Sequence, residues 1–202
     1  MVDKQEVQHM LNTYFRNGEA DNRVRFQIED SGIVNVQEIT PGYGVLLAIQ
    51  GPFPNGKLPV KFGVCHASLI LDRCGLSSLE GCPQIVGGRF TANKNPLKDM
   101  TGGPLEVSGR VGFRQEVPVL SLAGFPQRVG QHLSINYHNK LPLLRALNCQ
   151  QGLMLYAAHN VMQSKLLTIE GIFYKYAGQG KRALFDCQKE LEDAGFEGNA
   201  RW

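Results

Sequence analysis

A motif built on leucine, glycine and proline returns every 21 or 22 residues through the middle of this 202-residue chain. Its three clearest copies begin at Leu76, Leu97 and Val119. Each copy continues with an apolar residue, Gly, Pro, Val and a further apolar residue in the same order. A period of this length is typical of leucine-rich solenoids, in which each unit buries its apolar face against the next unit. The repeat therefore predicts a stack of coils with one shared core.

The residues that precede the repeats predict an N-terminal cap. Asp3 and Glu6 have the spacing of a helix capping box, and apolar residues follow at helical intervals up to Phe15. Short segments with strand patterns then run to Ile49, and we expect them to form antiparallel strands. Residues 180–194 predict a helix that covers the last coil.

These patterns predict an α+β fold. We expect a short leucine-rich-repeat-like β-solenoid with an N-terminal helix and antiparallel-strand cap and a C-terminal capping helix. The expected division is a cap over residues 1–57, a solenoid over 58–160 and a helical cap over 161–202. A first, degenerate repeat is expected from Leu58. A last, eroded repeat is expected to keep the 22-residue step, which would align Leu133 with Leu155 and Val129 with Gln151.

Each copy of the motif contains a valine, which is Val86 in the first clear copy. We expect the strand of each repeat to follow this valine. Side chains alternate along a strand, so Phe90 and Ala92 should point inward while Arg89 and Thr91 point outward. The same register, carried through the later copies, selects the predicted binding residues: Arg89, Thr91, Arg110, Arg114, His132, Ser134 and Tyr156. One outward row is expected to consist of Arg89, Arg110, His132 and Met154.

Positive charge is concentrated in the repeats. The whole chain has a formal net charge of +3, yet residues 83–165 contain nine Lys or Arg against three acidic residues. This imbalance favours an acidic partner, and we expect a protein with an acidic surface, with nucleic acid as the alternative.

Motifs for chemistry are weak by comparison. Cys65, Cys74 and Cys82 lack the paired spacing of zinc ligands, and the segment 178–182 lacks the hydroxyl residue of a phosphate-binding loop. We therefore expect no catalytic residue, no cofactor and no metal. Five cysteines without a signal peptide indicate reduced thiols, and we expect a cytoplasmic protein without a membrane span.

The first clear copy, which reads LSSLEGCPQIVGGRF from Leu76 to Phe90, resembles the short, Pro-containing leucine-rich repeats of phage-encoded proteins. Asn93 or Asn95 stands where the Asn of that family closes the unit, and the resemblance covers roughly residues 58–202. It implies the solenoid fold, a phage origin and a location in the host cytoplasm, and it carries no common catalytic residues.

Three functions remain open from the sequence. The first is a non-enzymatic interaction protein that binds a host macromolecule through the basic strand face, for host takeover or anti-defence. The second is a structural component of the virion or of its assembly, which would place the protein in the particle. The third is a nucleic-acid-processing enzyme that uses His132 or His138 on a basic face.

Overall fold

The computed structural model describes residues 3–17, 23–40, 42, 44–49, 51–114, 119–157 and 161–202. The predicted β-solenoid is confirmed: a helix stands at its N-terminal end and helices stand at its C-terminal end. The helices are α1 (Lys4–Tyr14), α2 (Gln163–Lys175) and α3 (Leu184–Asp193). The strands are β1 (Phe15–Asn17), β2 (Val24–Ile28), β3 (Val34–Glu38), β4 (Val45–Ala48), β5 (Phe62–Cys65), β6 (Ser68–Ile70), β7 (Ile85–Val86), β8 (Phe90–Thr91), β9 (Glu106–Val107), β10 (Val111–Phe113), β11 (Arg128–Val129), β12 (Leu133–Asn136) and β13 (Leu153–Tyr156).

Each coil from β3 to β12 contributes one strand to each of two sheets. One sheet has seven strands in the order β1-β4-β6-β8-β10-β12-β13, and the other has six in the order β11-β9-β7-β5-β3-β2. All pairs are parallel except β1 with β4 and β2 with β3. The repeat pattern predicted one strand in each repeat, whereas the structure has two.

The leucine positions of the motif fill the space between the sheets. Leu79, Met100 and Leu122 occupy equivalent places in successive coils, and their exposed fractions are 0%, 0% and 1%. Phe90 and Val111 are also fully buried and pair across adjacent strands. The period of the sequence therefore corresponds to one turn of a continuous core.

The glycine of the motif is required by backbone geometry. Gly81, Gly102 and Gly124 have φ angles of +94°, +83° and +74°, a region that other residues rarely adopt. A Cβ atom on Gly102 would lie 2.9 Å from the backbone nitrogen of Glu80 in the preceding coil. Any other residue would therefore both strain this turn and push the coils apart.

A buried asparagine fastens two coils together. Asn95 is 3% exposed, and its Oδ1 accepts hydrogen bonds from the amides of Cys74 and Leu76 at 2.9 and 3.1 Å. Its Nδ2 donates to the carbonyl oxygens of Leu71 and Ala92 at 2.8 and 3.0 Å. Asn95 thus satisfies backbone groups that the turn would otherwise leave buried without partners.

Helix α1 and the two antiparallel strands close the N-terminal end. Asp3 caps α1 by accepting a 2.8 Å hydrogen bond from the amide of Gln5, while Val7 and Leu11 are buried against the core. The predicted cap strands β3 and β4 have a double role, because they also pair in parallel with β5 and β6. Parallel stacking therefore begins before the degenerate repeat at Leu58.

Helix α2 covers the C-terminal end of the seven-stranded sheet. It lies within the helical cap predicted over residues 161–202, although the only individual helix predicted there was the one over 180–194. Glu170 Oε1 accepts a 2.5 Å hydrogen bond from the amide of Leu155, so the helix supplies an acceptor at the edge of the last strand. The helix predicted over 180–194 is present as a short 3₁₀ turn, Gly180–Ala183, followed by α3.

The predicted step of the last repeat is wrong. Leu133 pairs with Leu153, and Val129 bridges Cys149, so both steps are 20 residues rather than 22. A 3₁₀ helix over Leu144–Asn148 takes the place of the Gly- and Pro-containing turn here, and it buries Leu144, Ala146 and Leu147. This different connection returns the chain to the sheet two residues earlier.

We expect Leu79→Ala to lower the free energy of unfolding by about 2–5 kcal/mol, because it leaves a cavity in the continuous core. Ser77→Ala should change it by no more than about 0.5 kcal/mol, since Ser77 is exposed and makes only a 3.3 Å hydrogen bond to the Gly56 carbonyl. Urea unfolding of both variants measures the difference. Similar losses for the two would contradict the repeat register.

We expect Asn95→Ala to lower the free energy of unfolding by about 3 kcal/mol or more. The change leaves the amides of Cys74 and Leu76 buried without acceptors, and each such group costs about 1–3 kcal/mol. Asn139→Ala, at an exposed position, is the matched control and should stay within about 0.5 kcal/mol of wild type. A loss at Asn95 as small as the control's would show that this asparagine does not fasten the coils.

Candidate anion-binding face

The predicted binding residues lie on the outer side of the seven-stranded sheet. Strand pairing aligns Phe90 with Val111 and Val111 with Leu133, and all three side chains are buried between the sheets. The residues beside them on each strand therefore turn to the other side of the sheet. We call this side the basic face, and it contains Arg89, Thr91, Arg110, Gly112, Arg114, His132, Ser134, Met154 and Tyr156.

Two of the three basic side chains in the predicted row are arginines on neighbouring strands. Arg89, Arg110 and His132 each precede one of the aligned core residues, so they occupy adjacent rungs about 4.8 Å apart. Met154 does not continue this row, because it pairs with Ser134. Its predicted place beside His132 was wrong for the same reason as the 22-residue step.

The second row of the face offers little surface. Thr91, Gly112 and Ser134 are aligned with one another, and Thr91 and Ser134 are only 7% and 6% exposed. The Thr91 hydroxyl is buried and has no hydrogen-bond partner in the described part of the chain. Of the seven predicted residues, these two are therefore the least accessible to a large partner.

The arginines of the row have no acidic partner in the part of the chain that the structure describes. Among the described residues, neither the Arg89 nor the Arg110 side chain takes part in an ion pair or side-chain hydrogen bond. By contrast, Arg128, on the six-stranded sheet, forms an ion pair with Glu106. Arg114 lies with its guanidinium carbon 4.4 Å from the centre of the Tyr156 ring, which its positive charge favours.

The pKa of His132 reflects its burial first and the charge of Arg110 second. Burial lowers its pKa below the ordinary value of about 6.5, and the positive charge of Arg110 lowers it further, while a hydrogen bond with the Gln151 side chain acts in the opposite direction. His132 is consequently neutral at pH 7. The fixed positive charge of the row comes from its two arginines.

A groove of about 380 Å³ runs beside the arginine row, at the corner where each coil enters the seven-stranded sheet. Arg89 and Arg110 line it together with residues that the sequence analysis did not select: Ser68, Gly87, Gly88, Ser108, Gly109 and Gln131. A signal for them exists, because the triplets that end in Arg89, Arg110 and His132 all contain glycine. A Cβ atom on Gly88 would lie 2.2 Å from Ser68 Oγ. Only glycine therefore fits between neighbouring coils at this corner, and it leaves the backbone uncovered by a side chain.

The cysteines do not form a reactive or metal-binding cluster in the described residues. Burial raises the pKa of Cys65 and Cys74 to about 12, and it raises the pKa of Cys82 and Cys149 as well. In the parts of the chain that the structure describes, no three His, Cys, Asp or Glu side chains are grouped to hold a metal ion. None of the helices described is long and apolar enough to cross a membrane.

We expect Arg110→Gln to raise the pKa of His132, because it removes a neighbouring positive charge that opposes protonation of the imidazole. The pKa should remain below about 6.5, since the burial of His132 is unchanged. A proton NMR titration of the imidazole measures both values, and Arg128→Gln, on the other sheet, serves as the control. An unchanged pKa in Arg110→Gln would contradict the adjacency of the two side chains.

No family model, curated protein or solved structure matches the chain significantly.

Proposed function

We propose that the chain is a non-enzymatic interaction protein that binds a macromolecule with an acidic surface through its basic face. The observation that supports this most strongly is the pair Arg89 and Arg110, which occupy neighbouring rungs without an acidic partner among the described residues. Like charges at adjacent positions of a sheet repel each other and destabilise it. An anionic partner removes that repulsion. Binding of such a partner therefore accounts for the two adjacent arginines, whereas solubility alone does not require them to be adjacent.

The geometry favours an acidic protein over a nucleic acid. Proteins that bind single strands combine basic grooves with free aromatic rings on which bases stack. On the basic face, the one aromatic side chain described is Tyr156, and the Arg114 guanidinium already lies over its ring. Carboxylates need no stacking surface and pair well with arginine.

The resemblance to phage-encoded repeats supports a more specific form of the proposal. In this form the partner is a host protein, and the chain acts in the host cytoplasm in takeover of the host or against its defence. A solenoid is suited to this task because its rows of side chains offer a broad, regular surface.

A structural role in the virion is a second candidate, and the surface of the C-terminal helices favours it. Tyr174 on α2 and Phe185 on α3 are 76% and 79% exposed, and a contact with another subunit would bury this apolar surface. Quantitative mass spectrometry of purified particles tests this role. Stoichiometric amounts would support it, and absence from particles would remove it.

We expect Arg89→Glu combined with Arg110→Glu to abolish capture of the partner from infected cells without changing the melting temperature by more than a few degrees. The substitution reverses the charge of the row. Arg110 is exposed and Arg89 is half-buried, and neither forms an ion pair among the described residues that the change would break. Wild-type capture should also weaken with added salt, because exposed charges are screened within about 10 Å at 0.1 M.

The control for this experiment is Lys98→Glu combined with Arg182→Glu, two exposed positions outside the basic face that give the same change in net charge. The control should capture the partner like wild type. If the Arg89 and Arg110 double variant captures the same partner at the same salt concentration, the basic face is not the binding surface.

A further inference from the structure

The groove beside the arginine row has a lining that suits one kind of chemical group. Its charged side chains are Arg89 and Arg110, and its polar side chains are Ser68, Ser108 and Gln131, each of which can donate a hydrogen bond. Among the residues that the structure describes, no acidic side chain lines it. A lining of cations and donors around glycine backbone is suited to an oxyanion.

The donors of the groove are free to act. Ser68 Oγ accepts a 3.1 Å hydrogen bond from the amide of Arg89, which leaves the hydroxyl hydrogen of Ser68 available. Ser108 and Gln131 are exposed. The amide of Arg110 stands one coil further along than that of Arg89, and no partner for it is found in the described residues. An anion in the groove would therefore find several donors without breaking an existing hydrogen bond.

The groove is a shallow depression of about 380 Å³ that is open to solvent. A single side-chain head group of a partner can enter it from the surface. Arginine binds a carboxylate through two parallel hydrogen bonds, and Arg89 and Arg110 both line the groove.

We infer that the groove is a carboxylate-binding subsite, which receives an Asp or Glu side chain of the acidic protein partner between Arg89 and Arg110. The inference rests on the proposed function, because it names the group through which the partner is recognised. The inference distinguishes a carboxylate bound at a defined site from general attraction between charges. A seated carboxylate requires the uncharged donors of the groove, whereas diffuse attraction depends on the arginines alone.

The test measures binding of a fluorescein-labelled octaglutamate peptide by fluorescence anisotropy at low salt. Ser108→Ala combined with Gln131→Ala retains both arginines and the net charge, so it isolates the groove. We expect it to weaken peptide binding by about tenfold or more, the effect of losing a hydrogen bond to a charged group. Ser121→Ala combined with Gln84→Ala, outside the groove, is the uncharged control and should bind like wild type.

A second variant tests whether a carboxylate of the protein itself can occupy the groove. Gln131→Glu places a carboxylate at the groove, where it can pair with Arg110, so it should compete with the peptide and abolish binding without lowering the melting temperature. Unchanged affinity in both groove variants would overturn the carboxylate subsite. If Arg89→Glu with Arg110→Glu still loses binding in that case, the proposed function stands and only the groove is excluded.

The same assay with labelled octathymidylate distinguishes the chemical source of the anion. We expect weaker binding than to octaglutamate, with no sensitivity to Ser108→Ala combined with Gln131→Ala. Tighter binding of the oligonucleotide that depends on the groove donors would overturn the assignment to carboxylate. If the arginine double variant binds both probes like wild type, the proposed function and the subsite fail together.

Discussion

The backbone hydrogen bonds between successive coils determine the rest of this structure. The amides of Leu69, Phe90 and Val111 donate to the carbonyl oxygens of Arg89, Arg110 and His132, each one coil further along, at 2.8, 3.0 and 3.0 Å. A parallel ladder of this kind fixes which residues are neighbours. Because the repeat period matches one coil, equivalent motif positions lie side by side in rows. Arginines at equivalent positions of successive repeats therefore form a row of positive charges.

Close stacking of the coils depends on glycines, which take little space, and on an asparagine that forms hydrogen bonds with the backbone groups of a turn. Gly81, Gly102 and Gly124 adopt positive φ angles in places where a side chain would meet or crowd the preceding coil. Asn95 holds a turn by bonding to the backbone of two coils at once. The same closeness produces the groove, since glycine at positions 88 and 109 adds no side chain to a corner that Ser68, Ser108, Gln131 and the two arginines line.

The repeat predicted the features that follow from its period. The burial of Leu79, Met100 and Leu122 and the alignment of Arg89 with Arg110 could be read from the sequence, because each depends on equivalent positions in successive copies. The second sheet could not be read in this way, since strands of two residues such as β7 and β9 carry no alternating pattern. The parallel pairing of β3 and β4 was also missed, because it depends on contacts with residues beyond the cap.

The candidate site shows the same division. Alternation along a strand placed Arg110 and Arg114 on the outer face, where both are exposed, but it could not show that Thr91 and Ser134 are nearly buried there. The 20-residue step of the last coil removed Met154 from the arginine row, because a 3₁₀ helix replaced the usual turn. The groove was not predicted, because it forms only where stacking of the coils brings Ser68, Ser108 and Gln131 beside the two arginines.

All of these conclusions depend on the register of the coils. The most direct test is an NMR experiment on the deuterated protein that detects scalar coupling across hydrogen bonds and so identifies each donor and acceptor. The structure predicts correlations from the Phe90 amide nitrogen to the Arg110 carbonyl carbon and from Val111 to His132. Correlation of the Phe90 amide with a carbonyl of a different residue would contradict the stacking register, and with it the arginine row on which the proposed function rests.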